Sequence, residues 1–228
     1  MPLSYTRSTF LRIVRDAAGL TCLGAIAPVL AAPGGPTVVP FGGATPGALP
    51  PAFAPALTGG GGPVAWQVRE DASVDGGRVL AQISEDRTDT RFPLCIYQPL
   101  SARDIDVSVR MKPLSGRVDR AGGLAVRLAD PDNYYVVRAN ALEDNVRLYK
   151  VVRGRRIQFA GADTKVASGQ WQTLRLVADG RRFTVFFEGR QLFAAADDTL
   201  QAPGRIALWT KADSVTAFDR LTYTVLGA

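Results

Sequence analysis

Histidine is missing from all 228 residues. Without an imidazole there is no Ser-His-Asp or Cys-His nucleophile, no histidine general base and no His-containing metal site. Cysteine is nearly as scarce, with Cys22 and Cys95 alone. They lack the paired spacing of a zinc site, and Cys95, in the apolar run Phe92-Pro93-Leu94-Cys95-Ile96-Tyr97, reads as a buried, inert thiol. Glutamate is rare too: Glu70, Glu85, Glu143 and Glu188 are the only four. No phosphate-cradling glycine loop or dinucleotide fingerprint occurs. From residue 64 onward no segment has the 3.6-residue periodicity of an amphipathic helix.

The chain starts as an export signal would. Arg7, Arg12 and Arg15 precede an uncharged apolar run from Ala17 to Ala32, ending in small residues. That run is shorter than the roughly 20 residues needed to span a bilayer, so residues 1–32 are expected to be a signal peptide and the mature chain to have no transmembrane helix. Thr6-Arg7-Ser8-Thr9-Phe10-Leu11-Arg12 resembles the twin-arginine export motif, with Ser8 where the second arginine stands, and the general secretory route is the expectation. Removing the leader takes three of the 27 basic residues and one of the 21 acidic ones, leaving +4. The expected location is periplasmic or extracellular. There nucleic acid is not an expected partner, whereas glycans and lipid headgroups are accessible ones.

Residues 33–63 are uncharged and rich in glycine and proline, the composition of a linker. The reading has one complication: Phe41, Leu49, Phe53 and Leu57 are unusual in a solvated tether and are expected to pack on the domain or on an envelope partner.

From residue 64 to 228 the periodicity is two. Ile105, Val107, Val109 and Met111 alternate with Asp106, Ser108 and Arg110, and Phe183, Val185 and Phe187 with Thr184 and Phe186. Turn signals separate such runs, among them Asp130-Pro131-Asp132-Asn133, Glu143-Asp144-Asn145, Arg153-Gly154 and Asp179-Gly180. The Gly-Arg-Arg triplets at Gly154 and Gly180 are read as turn chemistry. A dozen or so short strands at this spacing predict an all-β fold, a two-sheet antiparallel sandwich.

Asp130-Pro131-Asp132-Asn133-Tyr134-Tyr135-Val136-Val137-Arg138, then Trp171 before Leu174-Arg175-Leu176, then Gly204-Arg205-Ile206-Ala207-Leu208-Trp209-Thr210 and Phe218-Asp219 carry a resemblance. They resemble concanavalin A-like lectin/glucanase domains, similar to the bacterial 3-keto-disaccharide hydrolase-like and glycosidase-family-16-like group and, more loosely, to laminin G domains. The resemblance implies a jelly-roll sandwich whose concave sheet face holds sugar. It does not imply activity.

Family-16 enzymes place their carboxylates on one strand as Glu-x-Asp-x-Glu, and no two of the four glutamates here stand at that spacing. No catalytic residue is assigned, and binding is expected ahead of catalysis. No cofactor is expected. A structural calcium at Asp130, Asp132 and Asn133 is weighed against a plain turn, which the same residues equally suit. One strand alternation puts Tyr134, Val136, Arg138 and Asn140 on one face, and the next gives Asn145, Arg147, Tyr149 and Val151. With Arg127, Trp209 and Lys211 these make a candidate polar-aromatic glycan face: rings stack on sugars while Arg and Asn bond their hydroxyls and carboxylates. The alternatives are an ordinary solvated sheet face, a hydrolase using aspartates, and an envelope interaction protein.

Overall fold

The alternation read from the sequence is realised as strands in the computed structural model of the chain, which describes residues 35–227. The expected signal peptide, with Cys22, lies outside the described residues. In chain order come β1 (Thr37–Val39), β2 (Phe53–Gly59), β3 (Trp66–Glu70), β4 (Arg78–Gln82), β5 (Arg91–Ala102), β6 (Ile105–Ser115), β7 (Ala121–Asp130) and β8 (Asn133–Asn140). They are followed by β9 (Asn145–Val152), β10 (Arg155–Asp163), β11 (Gln172–Asp179), β12 (Arg182–Phe187), β13 (Arg190–Ala196), β14 (Gly204–Thr210) and β15 (Val215–Val225). No helix occurs among the described residues, so none is long and apolar enough to cross a membrane.

Every pairing is antiparallel. A back sheet runs β13-β12-β11-β6-β15-β4-β3, with β1 also on β15, and a front sheet runs β10-β9-β8-β7-β14-β5-β2. The inner faces share one core: Ile105, Val107, Val109 and Met111 from the back meet Leu124, Tyr135, Val137 and Leu148 from the front. The expected all-β, two-sheet antiparallel sandwich is what the chain forms.

The linker reading requires correction. The stretch read as a tether supplies β1 and β2, and Phe41 and Phe53 are buried, 2% and 6% exposed. Phe53 packs against Phe41 and Tyr97 with ring centroids 5.9 and 5.2 Å apart. The apolar residues that looked out of place decide the outcome, since burying each such ring yields more than a glycine-rich backbone costs. Pro55 is tolerated because β2 pairs only with β5 and forms the sheet edge. The folded unit therefore reaches back at least to residue 37, and those residues are not a free arm toward an envelope partner.

Candidate functional site

The outer face of the front sheet is the candidate site, and it is not an ordinary wet face. On β8 the inward Tyr135, Val137 and Ala139 are buried as expected, and so are the outward Tyr134, Val136, Arg138 and Asn140. Of these, Tyr134 and Val136 join a second apolar cluster with Phe92 and Leu94 of β5, Tyr149 and Val151 of β9 and Trp209 of β14. Trp209 stacks on Phe92 with centroids 5.6 Å apart and planes 14° from parallel.

Trp209 is wholly enclosed, 0% exposed. Its Nε1 donates to the Tyr134 hydroxyl at 3.3 Å, which contacts Thr58 Oγ1 at 2.9 Å, and Thr58 in turn donates to the Pro131 carbonyl. Every donor is used when the Tyr134 hydroxyl donates to Thr58. Burial pushes the Tyr134 phenol up to about 12, against its hydrogen bonds with Thr58 and Trp209. Trp209 and Tyr134 were expected to present rings to sugar; they share the predicted face but lie beneath its surface, as a floor.

Over that floor lies Arg156 of β10. Its register partner is Val151, which brings it diagonally beside Tyr149. The guanidinium carbon sits 4.5 Å from the Phe92 and Tyr149 ring centroids and 5.7 Å from that of Trp209. Nη1 is buried without a hydrogen-bond partner. Desolvation pulls the Arg156 pKa below the ordinary arginine range, with Tyr149 and Asp119 acting in the opposite direction.

A polar cluster borders this stack. Arg138 Nη1 donates to Asn145 Oδ1 at 2.6 Å, and Nη2 donates to Glu143 Oε2 at 2.7 Å and to the Tyr149 hydroxyl at 3.1 Å. Asn145 Nδ2 also donates to Glu143 Oε2 at 3.1 Å. Burial works to raise the Glu143 pKa, and the bonds from Arg138 and Asn145 outweigh it, so the group stays below the usual range. Lys211, just past the end of β14, pairs with Asp89 Oδ1 at 2.5 Å and Asp119 Oδ2 at 2.9 Å. The second contact is off the line of a hydrogen bond and acts as an ion pair. Asp119 is 1% exposed, and burial raises its pKa against the pull of Lys211.

The predicted site residues thus divide. Arg138, Asn145, Tyr149 and Lys211 come together, with Tyr134 and Trp209 beneath. Asn140 caps the following turn, accepting from the Leu142 amide at 2.9 Å, and leaves its Nδ2 unpartnered. Arg147 is the cross-strand partner of Arg138, but its side chain runs over Gly161 to an exposed pair with Asp163 at 2.6 Å.

Arg127 does not belong to this face. It adopts a left-handed φ of 49° where the β7–β8 register slips between Val126 and Asp130. Against β14 the register slips by one residue between Ala125 and Leu128, and a one-residue slip reverses the side a residue faces. Arg127 instead lies against the core rings of Tyr135 and Phe183, donating to the Arg103 carbonyl at 2.8 Å and the Leu200 carbonyl at 3.1 Å and pairing with Asp104. Gly204 permits the bulge: a Cβ there would meet the backbone carbonyl carbon of Arg127 at 2.4 Å.

Sequence reasoning missed Arg156, Phe92, Asp89, Asp119 and Glu143. Arg156 could have been found by counting: a two-residue turn at Arg153-Gly154 sets Arg155 opposite Val152 and Arg156 opposite Val151. At the calcium candidate, Asp130 Oδ1 accepts from the Asp132 amide at 2.8 Å and from Asn133 Nδ2 at 2.9 Å, the bonding of an Asx turn.

No protein-family model and no curated protein matches the chain. Solved structures do. The carbohydrate-binding module CBM66 from Bacillus subtilis is 19% identical at a TM-score of 0.60, over 75% of this chain and 94% of that one. A Bacillus licheniformis β-glucanase is 13% identical at 0.58, over 85% of this chain and 99% of that one. A Bacillus subtilis protein of unknown function with a galectin-like fold is 13% identical at 0.52, over 75% and 88%. Such identities speak to architecture alone. With its two antiparallel sheets and their strand order, the chain has the concanavalin A-like jelly-roll fold.

Proposed function

We propose that this domain is an exported glycan-binding module that holds saccharide on the outer face of the front sheet. One observation carries the reading: the face gathers Arg138, Asn145, Glu143, Lys211 and Asp89 beside an arginine stacked on three rings. Glu143 and Asp89 are open to solvent, with side chains 47% and 71% exposed. Sugar hydroxyls are recognised by such planar donors and carboxylate acceptors fixed in advance by one another. The likeness to a carbohydrate-binding module supports the same reading at the level of fold.

The test is retention on a panel of immobilised polysaccharides by full-length wild type, Arg138→Ala and Lys211→Ala, with thermal melts as folding controls. Wild type is expected to be retained on at least one glycan, and each folded variant to bind about tenfold or more weakly. Retention of no glycan, or equal retention of folded variants, would overturn the proposal. Export is tested separately: a periplasmic or secreted product shortened by about 32 residues is the expected outcome.

A hydrolase is the second reading, and the raised pKa of Asp119 favours it, as a buried acid that keeps its proton more readily. Against it, Lys211 holds Asp119 and Arg138 holds Glu143, an arrangement suited to fixed charge. New reducing ends that vanish in Asp119→Asn would establish hydrolysis.

A further inference from the structure

We infer that the saccharide carries a carboxylate, as a uronic acid does, and that Arg156 receives it; this rests on the glycan-binding reading above. A guanidinium is a planar cation with five N–H donors in its own plane. Phe92, Tyr149 and Trp209 pack against the guanidinium and Nη1 is buried, while Nε and Nη2 make no hydrogen bond among the described residues. No protein acceptor meets Nη1, and no ion pair joins Arg156 to a carboxylate among the described residues.

The carboxylates nearby are taken. Lys211 holds Asp89 and Asp119, while Arg138 and Asn145 hold Glu143. Asp119 attracts Arg156 at a distance and Arg138 repels it, but neither offers Arg156 a hydrogen bond. A desolvated cation without an acceptor is costly, and that cost is relieved by an anion arriving with the ligand. The planar fork matches a carboxylate edge to edge, with two parallel N–H···O bonds. A neutral hydroxyl would satisfy one donor and leave the charge unmet. The back sheet supplies a contrast: Arg175 there also stacks on a ring, Phe186, at 4.7 Å, but donates from Nε to Asp106 Oδ1 at 2.8 Å and from Nη2 to Oδ2 of the same carboxylate. Arg156 has the same stacked posture with the carboxylate missing.

The experiment is calorimetric titration of the full chain with oligogalacturonate, its methyl ester and a sulfated oligosaccharide, repeated with Arg156→Gln and Arg156→Lys. The free acid is expected to bind about tenfold or more tightly than the ester, and Arg156→Gln to erase that preference. Arg156→Lys, which keeps the charge but not the fork, is expected to restore part of it. Circular dichroism and melts establish that the variants fold; if Arg156→Gln does not, Arg156→Lys against the acid–ester ratio decides. Equal affinity for acid and ester overturns the inference while leaving glycan binding standing. Binding of the sulfated probe alone also overturns the assignment to a carboxylate. Saccharides that all fail to bind, when the polysaccharide panel is negative too, remove both.

Discussion

The two sheets of this sandwich have outer faces that differ in kind. On the back, β6 alternates strictly, its outward Asp106, Ser108, Arg110 and Lys112 half-exposed over a buried Ile-Val-Val-Met stripe. Its charges are neutralised locally, Arg110 by Asp219, Lys112 by Asp71 and Asp106 by Arg175. On the front, β8 is buried on both faces, and the outward arginine of β10 has an unpartnered donor. Surface ion pairs contribute little and demand little, whereas buried polar groups must be matched or they cost stability. One period-two pattern therefore produces a solvated wall on one side and a prepared polar-aromatic surface on the other.

Matching tryptophans test that difference most strongly. Trp209→Ala removes the enclosed floor of the front face and is expected to cost about 3–5 kcal/mol in urea denaturation. Trp171, half-buried on the back under Lys112 at 4.6 Å, is expected to cost only about 1 kcal/mol when replaced by alanine. Equal losses would erase the distinction.

Arginines give the next contrast. Arg138→Ala removes a donor from each of Asn145, Glu143 and Tyr149, and about 1–3 kcal/mol of stability should go with it. Arg110→Ala on the back should cost less than about 1 kcal/mol. On the front, an effect smaller than that of Arg138→Ala, about 1 kcal/mol, is expected for Thr58→Val, which deprives the Tyr134 hydroxyl of its acceptor. That loss would also register that β2 belongs to the fold.

The smallest effect is in acid. Burial acts to raise the Asp71 pKa, but hydrogen bonds from Lys112 and Ser73 outweigh it and bring the group to about 2. A carboxyl lowered on folding stabilises above its unfolded value of 3.8, and the benefit is lost as pH falls toward about 2. Lys112→Met should flatten that acid limb by less than about 1 kcal/mol in melts taken between those pH values. Lys211 on the front is raised above 10.5 because Asp89 and Asp119 outweigh its desolvation, so its contribution is lost on the alkaline side instead.

Much of this arrangement was legible in the sequence. Alternation placed Arg138 with Tyr134 and Asn145 with Tyr149 on one face, because the side-chain period of a strand is fixed by geometry. It could not say what covers that face, which is why Trp209 reads as a platform and proves to be a floor. Arg127 failed for a different reason: the bulge changes the count of residues, and nothing local in Leu124-Ala125-Val126-Arg127 signals it. Glycine and proline hid β1 and β2, where the apolar Phe41 and Phe53 were the better guide. Asp89 and Asp119 reach Lys211 from loops 122 and 92 residues away in sequence, a juxtaposition that only the tertiary fold creates.

The most direct test of the contrast between the faces is an amide chemical-shift titration of the isotope-labelled protein with a glycan it retains. The account predicts that the largest changes fall on β8, β9, β10 and the residues around Lys211, with β6 and β11 unmoved. Shifts concentrated on β6, β11 and the Trp171 side chain would contradict it.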